Sequence, residues 1–305
     1  MNKTETKIWR IIDIINWGTE FFKSKSFMSD SNGNEARTTI ELILCHVLKC
    51  RRIDLYIDFE RPLSKNELEE IKTLIKRRLK REPLQYILGE TEFMGLKFKL
   101  TPDVLIPRPE TEILVEKAIE TIKKDFAEKS LIKVLDIGTG SGNIAISLAK
   151  FLGEKVYVIG IDISEKAIEV ANENAKLNNV KNVQFIQFDF FNDELTKKFA
   201  NQFDVIVSNP PYISSEEIQN LQDEIKNYEP MIALTDGADG LRFFRRIASV
   251  SKDLICDHGF VLVEMSYNQS EKVKKIFVEN GFNEIEIFKD YLGIERVAKI
   301  KVEKL

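Results

Sequence analysis

Between residues 7 and 23, Ile8, Ile11, Ile12, Ile15 and Phe22 recur at intervals of three, four and seven, and Trp9, Ile14, Trp17 and Phe21 widen the apolar stripe. This period predicts an amphipathic helix, because side chains three and four apart share one helical face. Thr38 to Leu48 and Ser64 to Leu79 repeat the pattern. Ser64 stands three residues ahead of Glu67, the spacing at which a hydroxyl and a carboxylate cap a helix start reciprocally. The stretch Ser29-Asp30-Ser31-Asn32-Gly33-Asn34 has loop composition. The first eighty or so residues therefore read as a small helical bundle. The basic run Lys76-Arg77-Arg78-Leu79-Lys80-Arg81 falls at a predicted helix carboxyl end, where positive charge suits the helix dipole; an RNA or ribosome contact is the alternative reading.

From about residue 84 the pattern shortens. Gly95 between Phe93-Met94 and Leu96-Phe98 predicts a hairpin, and beyond Thr111 apolar strands alternate with helical stretches, the signature of a parallel α/β sheet. Strands are expected at 131–137, 156–162, 183–187 and 203–208, with a helix over Asn143 to Phe151.

The ends of these strands carry the candidate chemistry. The first runs into Gly138-Thr139-Gly140-Ser141-Gly142, whose glycines allow close backbone approach to a ligand ahead of a helix amino terminus. The third glycine follows the second after only one residue, which departs from the dinucleotide fingerprint, and no Lys-Ser/Thr pair makes a phosphate loop. The second strand ends in Asp162, placed to accept both hydroxyls of a ribose. The third ends in Phe188-Asp189-Phe190, a carboxylate for an exocyclic amine and a ring to lie against a base. Singly, either acid could be a helix cap. The fourth delivers Asn209-Pro210-Pro211-Tyr212 to the same edge. The Asn209 side-chain oxygen and the Pro210 carbonyl can each take one N–H of a planar –NH₂, and the Tyr212 ring can stack on that group. A nucleoside-bearing cofactor without a pyrophosphate site, beside an amine holder, points to S-adenosyl-L-methionine as methyl donor.

Composition narrows the class. The 305 residues suggest about two domains, and 43% hydrophobic with 31% charged content describes a globular chain. No apolar run approaches the roughly 20 residues of a membrane span, and Met1 to Lys7 lack a signal peptide's apolar core, so the cytoplasm is expected and no membrane contact. Cys45, Cys50 and Cys256 form no disulfide framework, and with only His46 and His258 no metal site is expected. A net charge of −4 argues against affinity resting on nucleic-acid phosphates.

Arg81 to Gly89, Leu105-Ile106-Pro107-Arg108-Pro109-Glu110-Thr111-Glu112, Val134 to Gly142 and Val207 to Ile213 together resemble the successive blocks of the HemK/PrmC family. These are the protein-(glutamine-N5) methyltransferases that modify peptide chain release factors. The likeness extends to Glu41-Leu42-Ile43-Leu44, Glu229-Pro230, Asp239-Gly240-Leu241 and Asp290-Tyr291-Leu292-Gly293. It implies a class I S-adenosylmethionine-dependent methyltransferase fold: Rossmann-like, with a mostly parallel seven-stranded sheet whose last strand is antiparallel, preceded by a helical-bundle domain and a hairpin linker. The expected boundaries are 1–83 for the substrate-recognition domain, 84–108 for the linker and 109–305 for the methyltransferase domain. Gly138, Thr139, Gly140, Ser141, Gly142, Asp162, Asp189, Phe190 and Asn209 are expected on the cofactor, and Asn209, Pro210, Pro211 and Tyr212 on the substrate glutamine. Asn209, Pro210 and Tyr212 would carry the catalysis, and S-adenosyl-L-homocysteine would be the product.

The implied partner is a release factor, methylated at the glutamine of its Gly-Gly-Gln motif by a monomeric enzyme that forms no stable nucleic-acid complex. Phe190 stands where relatives often have tryptophan, and Ser266 where they usually have glycine, the latter distant in sequence from the proposed chemistry. An adenine-type amine methyltransferase, the sister branch acting on a ribosomal protein, and a non-catalytic cofactor-binding scaffold are the alternatives.

Overall fold

The structure, a computed structural model, describes residues 8–25 and 34–303, so the amino-terminal residues 1–7 and residues 29–33 of the loop expected at 29–34 lie outside the described residues, while Asn34, expected in that loop, opens a helix. The chain divides into two compact units, Met1–Leu88 and Gly89–Leu305.

The first unit holds α1 (Ile11–Lys23), α2 (Asn34–Leu48), the single turn α3 (Asp54–Ile57), α4 (Lys65–Leu79) and the short α5 (Leu84–Leu88). Ile11, Ile15, Phe22, Ile40, Ile43, Leu44, Ile71 and Ile75 close its core. α1 begins at Ile11 because Arg10 is extended, bridges to Pro62 and gives its backbone N–H to the Asp13 carboxylate at 2.9 Å. At the start of α4 the reciprocal cap forms: Ser64 N donates to Glu67 Oε2 at 2.7 Å, and Glu67 N donates to Ser64 Oγ at 3.3 Å. Part of the basic run turns inward. Arg77 Nε donates to Glu82 Oε2 at 2.9 Å, and the buried Arg78 gives Nη1 to the Glu82 carbonyl at 3.1 Å, a structural use of both cations.

The second unit opens with a hairpin, β1 (Glu90–Phe93) and β2 (Leu96–Lys99). Met94 and Gly95 both have positive φ, 52° and 71°, as a two-residue turn matched to strand twist requires. Phe93 and Phe98 join the core that also holds Leu114 and Val134, so the hairpin is built into this unit. There follow α6 (Pro109–Asp125), β3 (Ile132–Ile137), α7 (Asn143–Leu152), β4 (Val156–Asp162), α8 (Glu165–Leu177), β5 (Val183–Gln187), α9 (Glu194–Phe199) and β6 (Phe203–Ser208). Then come α10 (Asp223–Tyr228), α11 (Met231–Leu234), α12 (Arg242–Leu254), β7 (Ile255–Glu264), α13 (Ser270–Glu279), β8 (Ile285–Lys289) and β9 (Glu295–Val302).

Seven strands form one sheet in the order β5-β4-β3-β6-β7-β9-β8. β3 to β7 run parallel, and β9, the last strand of the chain, is antiparallel to both its neighbours, which is the expected class I methyltransferase arrangement. Every residue of β6 is buried, consistent with a central parallel strand covered on both faces. One core packs α9, α12 and α13 on one face and the other packs α6, α7 and α8 on the opposite face. The chain moves outward from β3 through β4 to β5 and then returns to place β6 on the other side of β3. That reversal opens a crevice at the carboxyl ends of the strands, where open α/β sheets bind ligands.

Candidate active site

The crevice begins where β3 ends. Gly138, Gly140 and Gly142 have φ of 72°, 53° and 79°, all in the left-handed region where glycine alone is unstrained. Gly138 N and Thr139 N both donate to the Ile161 carbonyl, at 2.9 and 3.0 Å, which ties the turn to β4. Thr139 Oγ1 donates to Asp136 Oδ2 at 2.6 Å, and burial pushes that Asp136 carboxyl up to about 7. Gly160 in β4 has no room for a side chain, since a Cβ there would lie 2.7 Å from both Phe185 and Thr139 Oγ1. Asn174 of α8 anchors the turn from behind, donating to the Ser141 carbonyl at 2.9 Å while exchanging bonds with the Lys99 backbone.

β4 ends one residue past the Ile137–Ile161 pair, in Asp162. Its Oδ2 accepts from Gly140 N and its Oδ1 from Ser164 N, each at 2.9 Å. Burial raises this carboxyl above its ordinary range, against the pull of those backbone N–H groups. A cavity of about 310 Å³ opens beyond it. Gly138, Gly140, Asp162, Asp189, Phe190 and Asn209 line that cavity, so residues from the ends of β3, β4, β5 and β6 converge on one space. Thr139, Ser141 and Gly142 do not line it; the first two are buried, and a Cβ on Gly142 would meet Ile146 and Phe185 at 3.0 Å. Asp189 Oδ1 accepts from Phe191 N at 2.9 Å, and the Phe190 ring lies nearly parallel to Phe243, 6.1 Å away.

β6 ends at Ser208, paired with Ile137 of β3, and the next residue is Asn209. A second cavity of about 170 Å³ lies there, lined by Leu105, Arg108, Asn209, Pro210, Tyr212 and Ile225 among others. Leu105, Asn209 and Ala233 line both cavities, while Pro211 lines the first and Pro210 and Tyr212 the second. Asn209 Nδ2 donates to Thr111 Oγ1 at 3.0 Å, leaving the carbonyl end of the amide as its acceptor. Tyr212 Oη donates to Glu264 Oε1 at 3.1 Å, and burial with the Glu264 carboxylate raises the phenol above its ordinary range.

The backbone of Tyr212 is clamped as well. Gln269 Nε2 donates to its carbonyl at 3.0 Å, and Gly240, with φ of 76°, approaches so closely that a Cβ would sit 2.3 Å from the Tyr212 carbonyl oxygen. Glu229, nearly fully buried, pairs with Arg108 of the second cavity and accepts from Ile106 N at 3.4 Å.

Asp136, Thr111, Glu229, Glu264 and Gln269 had no role in the sequence reading. Asp136, Thr111 and Glu229 lie in blocks that carry the family likeness, which is the available signal. Ser266 is distant in sequence from the proposed chemistry, yet Gln269, whose Oε1 accepts from Ser266 N at 3.0 Å, touches Tyr212 directly. Ser266 itself does not have positive φ; the left-handed residue of that turn is Asn268, at 63°, so a serine in place of glycine costs no backbone strain.

The family described as a methyltransferase domain matches residues 128–281, and the PrmC N-terminal domain matches residues 13–89. The chain is 45% identical over 263 residues to the release factor glutamine methyltransferase of Thermodesulfovibrio yellowstonii, covering 86% of this chain and 91% of that one. It is 43% identical over 282 residues to the protein of the same name from Fusobacterium nucleatum, covering 92% and 77%. A methyltransferase of Pyrococcus furiosus has the same fold, at a TM-score of 0.50 and 17% identity over 77% of this chain and 98% of that one. At this identity and coverage the chain, a methyltransferase, belongs to the release factor glutamine methyltransferase family.

Proposed function

We propose that the protein transfers a methyl group from S-adenosyl-L-methionine to the side-chain amide nitrogen of the glutamine in the Gly-Gly-Gln motif of peptide chain release factors. The observation that carries this reading is that Asn209 lines two cavities: one of about 310 Å³ whose lining of Gly138, Gly140, Asp162, Asp189 and Phe190 suits an adenosyl group, and one of about 170 Å³ with room for a side-chain amide. The larger cavity's own residues fit that group. A Cβ on Gly138 would meet nothing within 4 Å, so the turn presents open space to a ligand. Each Asp162 oxygen accepts one backbone N–H and retains a lone pair, enough for two ribose hydroxyls. Phe190 offers a ring to a base.

When bound, the cofactor supplies an electrophilic methyl on a sulfonium, so the protein's task is to present the nucleophile. An amide nitrogen delocalises its lone pair and attacks only if its hydrogens are held and that pair is aimed. The Asn209 Oδ1 and Pro210 carbonyl take one N–H each, and the Tyr212 ring supports the amide plane. These acceptors are fixed before the reaction and face the nitrogen where positive charge grows, so they stabilise the transition state more than the ground state. The walls exclude water that would otherwise satisfy the amide. No base is required before transfer, since the amide proton becomes acidic only as the N–C bond forms.

The names of the curated relatives favour a release factor over an adenine or a ribosomal protein as acceptor. The first unit supplies grip on the protein substrate away from the reacting glutamine, and the enzyme acts as a cytoplasmic monomer. Removing residues 1–88 is expected to raise the KM for release factor far more than the Kd for S-adenosylhomocysteine; equal losses would reduce that unit to a folding aid. Transfer of tritiated methyl to purified release factor, to its Gly-Gly-Gln variant and to adenine-containing DNA tests the whole reading.

A further inference from the structure

Arg108 stands between Pro107 and Pro109, and the proline that follows holds it extended, with φ −97° and ψ 144°, just ahead of α6. Glu229 precedes Pro230 and is extended too, with φ −86° and ψ 148°, at the end of α10. Both backbones are thus set before the side chains meet. Arg108 Nη2 donates to Glu229 Oε1, and the Glu229 side chain is 1% exposed while that of Arg108 is 30% exposed. A buried carboxylate in this place cancels the guanidinium charge without covering the group. It is the one hydrogen-bond partner of the Arg108 side chain among the described residues, so most of its five N–H groups are unengaged. Arg108 is also the one charged residue lining the smaller cavity among the described residues. The other polar side chains of that lining, Asn209 and Tyr212, donate to Thr111 and Glu264, and the rest of the lining is apolar.

We propose that Arg108 is a substrate-binding residue whose free N–H groups hold a main-chain carbonyl of the loop that presents the glutamine. A glutamine side chain reaches Asn209 only if its own backbone comes to the cavity mouth. Two glycines precede it and have no side chains, so carbonyls are the acceptors that this part of the substrate brings. A carbonyl that leaves water against apolar walls is costly unless it finds a donor, and the guanidinium supplies several in one plane. The pairing with Glu229 decides which acceptor fits. A substrate carboxylate would lie beside the Glu229 carboxylate and be repelled, whereas a neutral carbonyl meets no such penalty. The glutamine's side-chain oxygen is the wrong acceptor, because a donor there strengthens amide resonance and draws the nitrogen lone pair away from the methyl. Arg108 therefore reads the backbone beside the glutamine, while Asn209 and Pro210 hold its amide.

This role rests on the proposed glutamine methylation, and the experiment separates the two. With full-length enzyme, S-adenosylmethionine and purified release factor, kcat and KM are measured beside the S-adenosylhomocysteine Kd and the melting temperature. Arg108→Met alone would leave the Glu229 carboxylate buried and unpaired, so it is combined with Glu229→Gln. The double variant should raise the release-factor KM by about 10- to 100-fold and leave kcat and cofactor Kd within about threefold. Arg108→Lys, which keeps the ion pair but not the planar fork, should shift KM the same way by less, and it preserves the comparison if the double variant does not fold. Release factor carrying an ester in place of one peptide bond of the Gly-Gly-Gln loop at a time then weakens single carbonyl acceptors. At one position the ester should raise KM for the wild type and add nothing for the Arg108 variants, the non-additivity of groups in contact. Equal ester effects in wild type and variants at every position would overturn the proposal. So would a KM within about threefold of wild type in both variants, or a kcat that rises when Arg108 is lost, the sign of a guanidinium on the glutamine side chain. Failure of the wild type itself to methylate the release factor would strike the functional reading instead.

Discussion

Replacing Asp162 by asparagine changes one atom's worth of chemistry at the cofactor cavity and makes a sharp prediction. In the folded protein both carboxylate oxygens are engaged, Oδ2 by Gly140 N and Oδ1 by Ser164 N, each at 2.9 Å. Asparagine keeps one acceptor oxygen. Its –NH₂ must face one of those two N–H groups, donor against donor, and that end can no longer accept a ribose hydroxyl. A hydrogen bond to a charged group contributes about 1.5–3 kcal/mol, so loss of one ribose contact predicts a Kd for S-adenosylhomocysteine weaker by roughly 10- to 150-fold. The orphaned backbone N–H lowers stability by about 1–3 kcal/mol, partly offset because a neutral amide is easier to bury than the carboxylate. Titration calorimetry with S-adenosylhomocysteine reads the first quantity and denaturant unfolding the second. A folded Asp162→Asn protein binding within about threefold of wild type would refute the placement of the ribose against this residue.

Two further substitutions probe the frame around the site. Gly240→Ala places a Cβ 2.3 Å from the Tyr212 carbonyl oxygen at a φ of 76°, so the segment that holds Pro210 and Tyr212 must shift; kcat is expected to fall by about 10²-fold with cofactor affinity nearly unchanged, and a steady-state rate near wild type would contradict it. Asp136 has its carboxyl raised by burial to about 7 from an ordinary 3.8, so between those values the folded state holds a proton that the unfolded chain has released. Its contribution to stability is therefore full at low pH and is lost as pH rises through about 7, by up to ~1.4 kcal/mol per pH unit. Asp136→Asn should flatten that part of the stability profile from pH 5 to 7 in denaturant titrations, and an unchanged slope would rule the assignment out.

Much of this was legible in the chain. The strands at 156–162, 183–187 and 203–208 coincide with β4, β5 and β6, and β3 starts one residue later than expected. These are short apolar runs closed by glycine or polar residues, and their boundaries are set locally. α1 begins four residues later than its apolar period because Arg10 joins Pro62, a contact between residues far apart in sequence. The site shows the same division. Gly138 to Gly142 and Asn209 follow directly after strands and Asp162 ends one, so their placement on one edge comes with the sheet. Thr111 stands 98 residues from Asn209 and Glu264 stands 52 from Tyr212, and only the packing of α6 on the sheet and the pairing of β6 with β7 bring them together. No local pattern marks Glu264 apart from any other strand-end acid. Likewise Gly240 reads as a loop glycine until its approach to Tyr212 is seen.

The central claim is that Asn209 to Tyr212 hold the amide of a release-factor glutamine against the methyl donor. Mass-spectrometric mapping of purified release factor after incubation with the enzyme and S-adenosylmethionine tests it most directly. The account predicts one added methyl on the glutamine of the Gly-Gly-Gln motif, absent when that glutamine is replaced and absent with the Asn209→Ala enzyme, which still binds S-adenosylhomocysteine. Methylation at another residue, or undiminished methylation by Asn209→Ala, would contradict it.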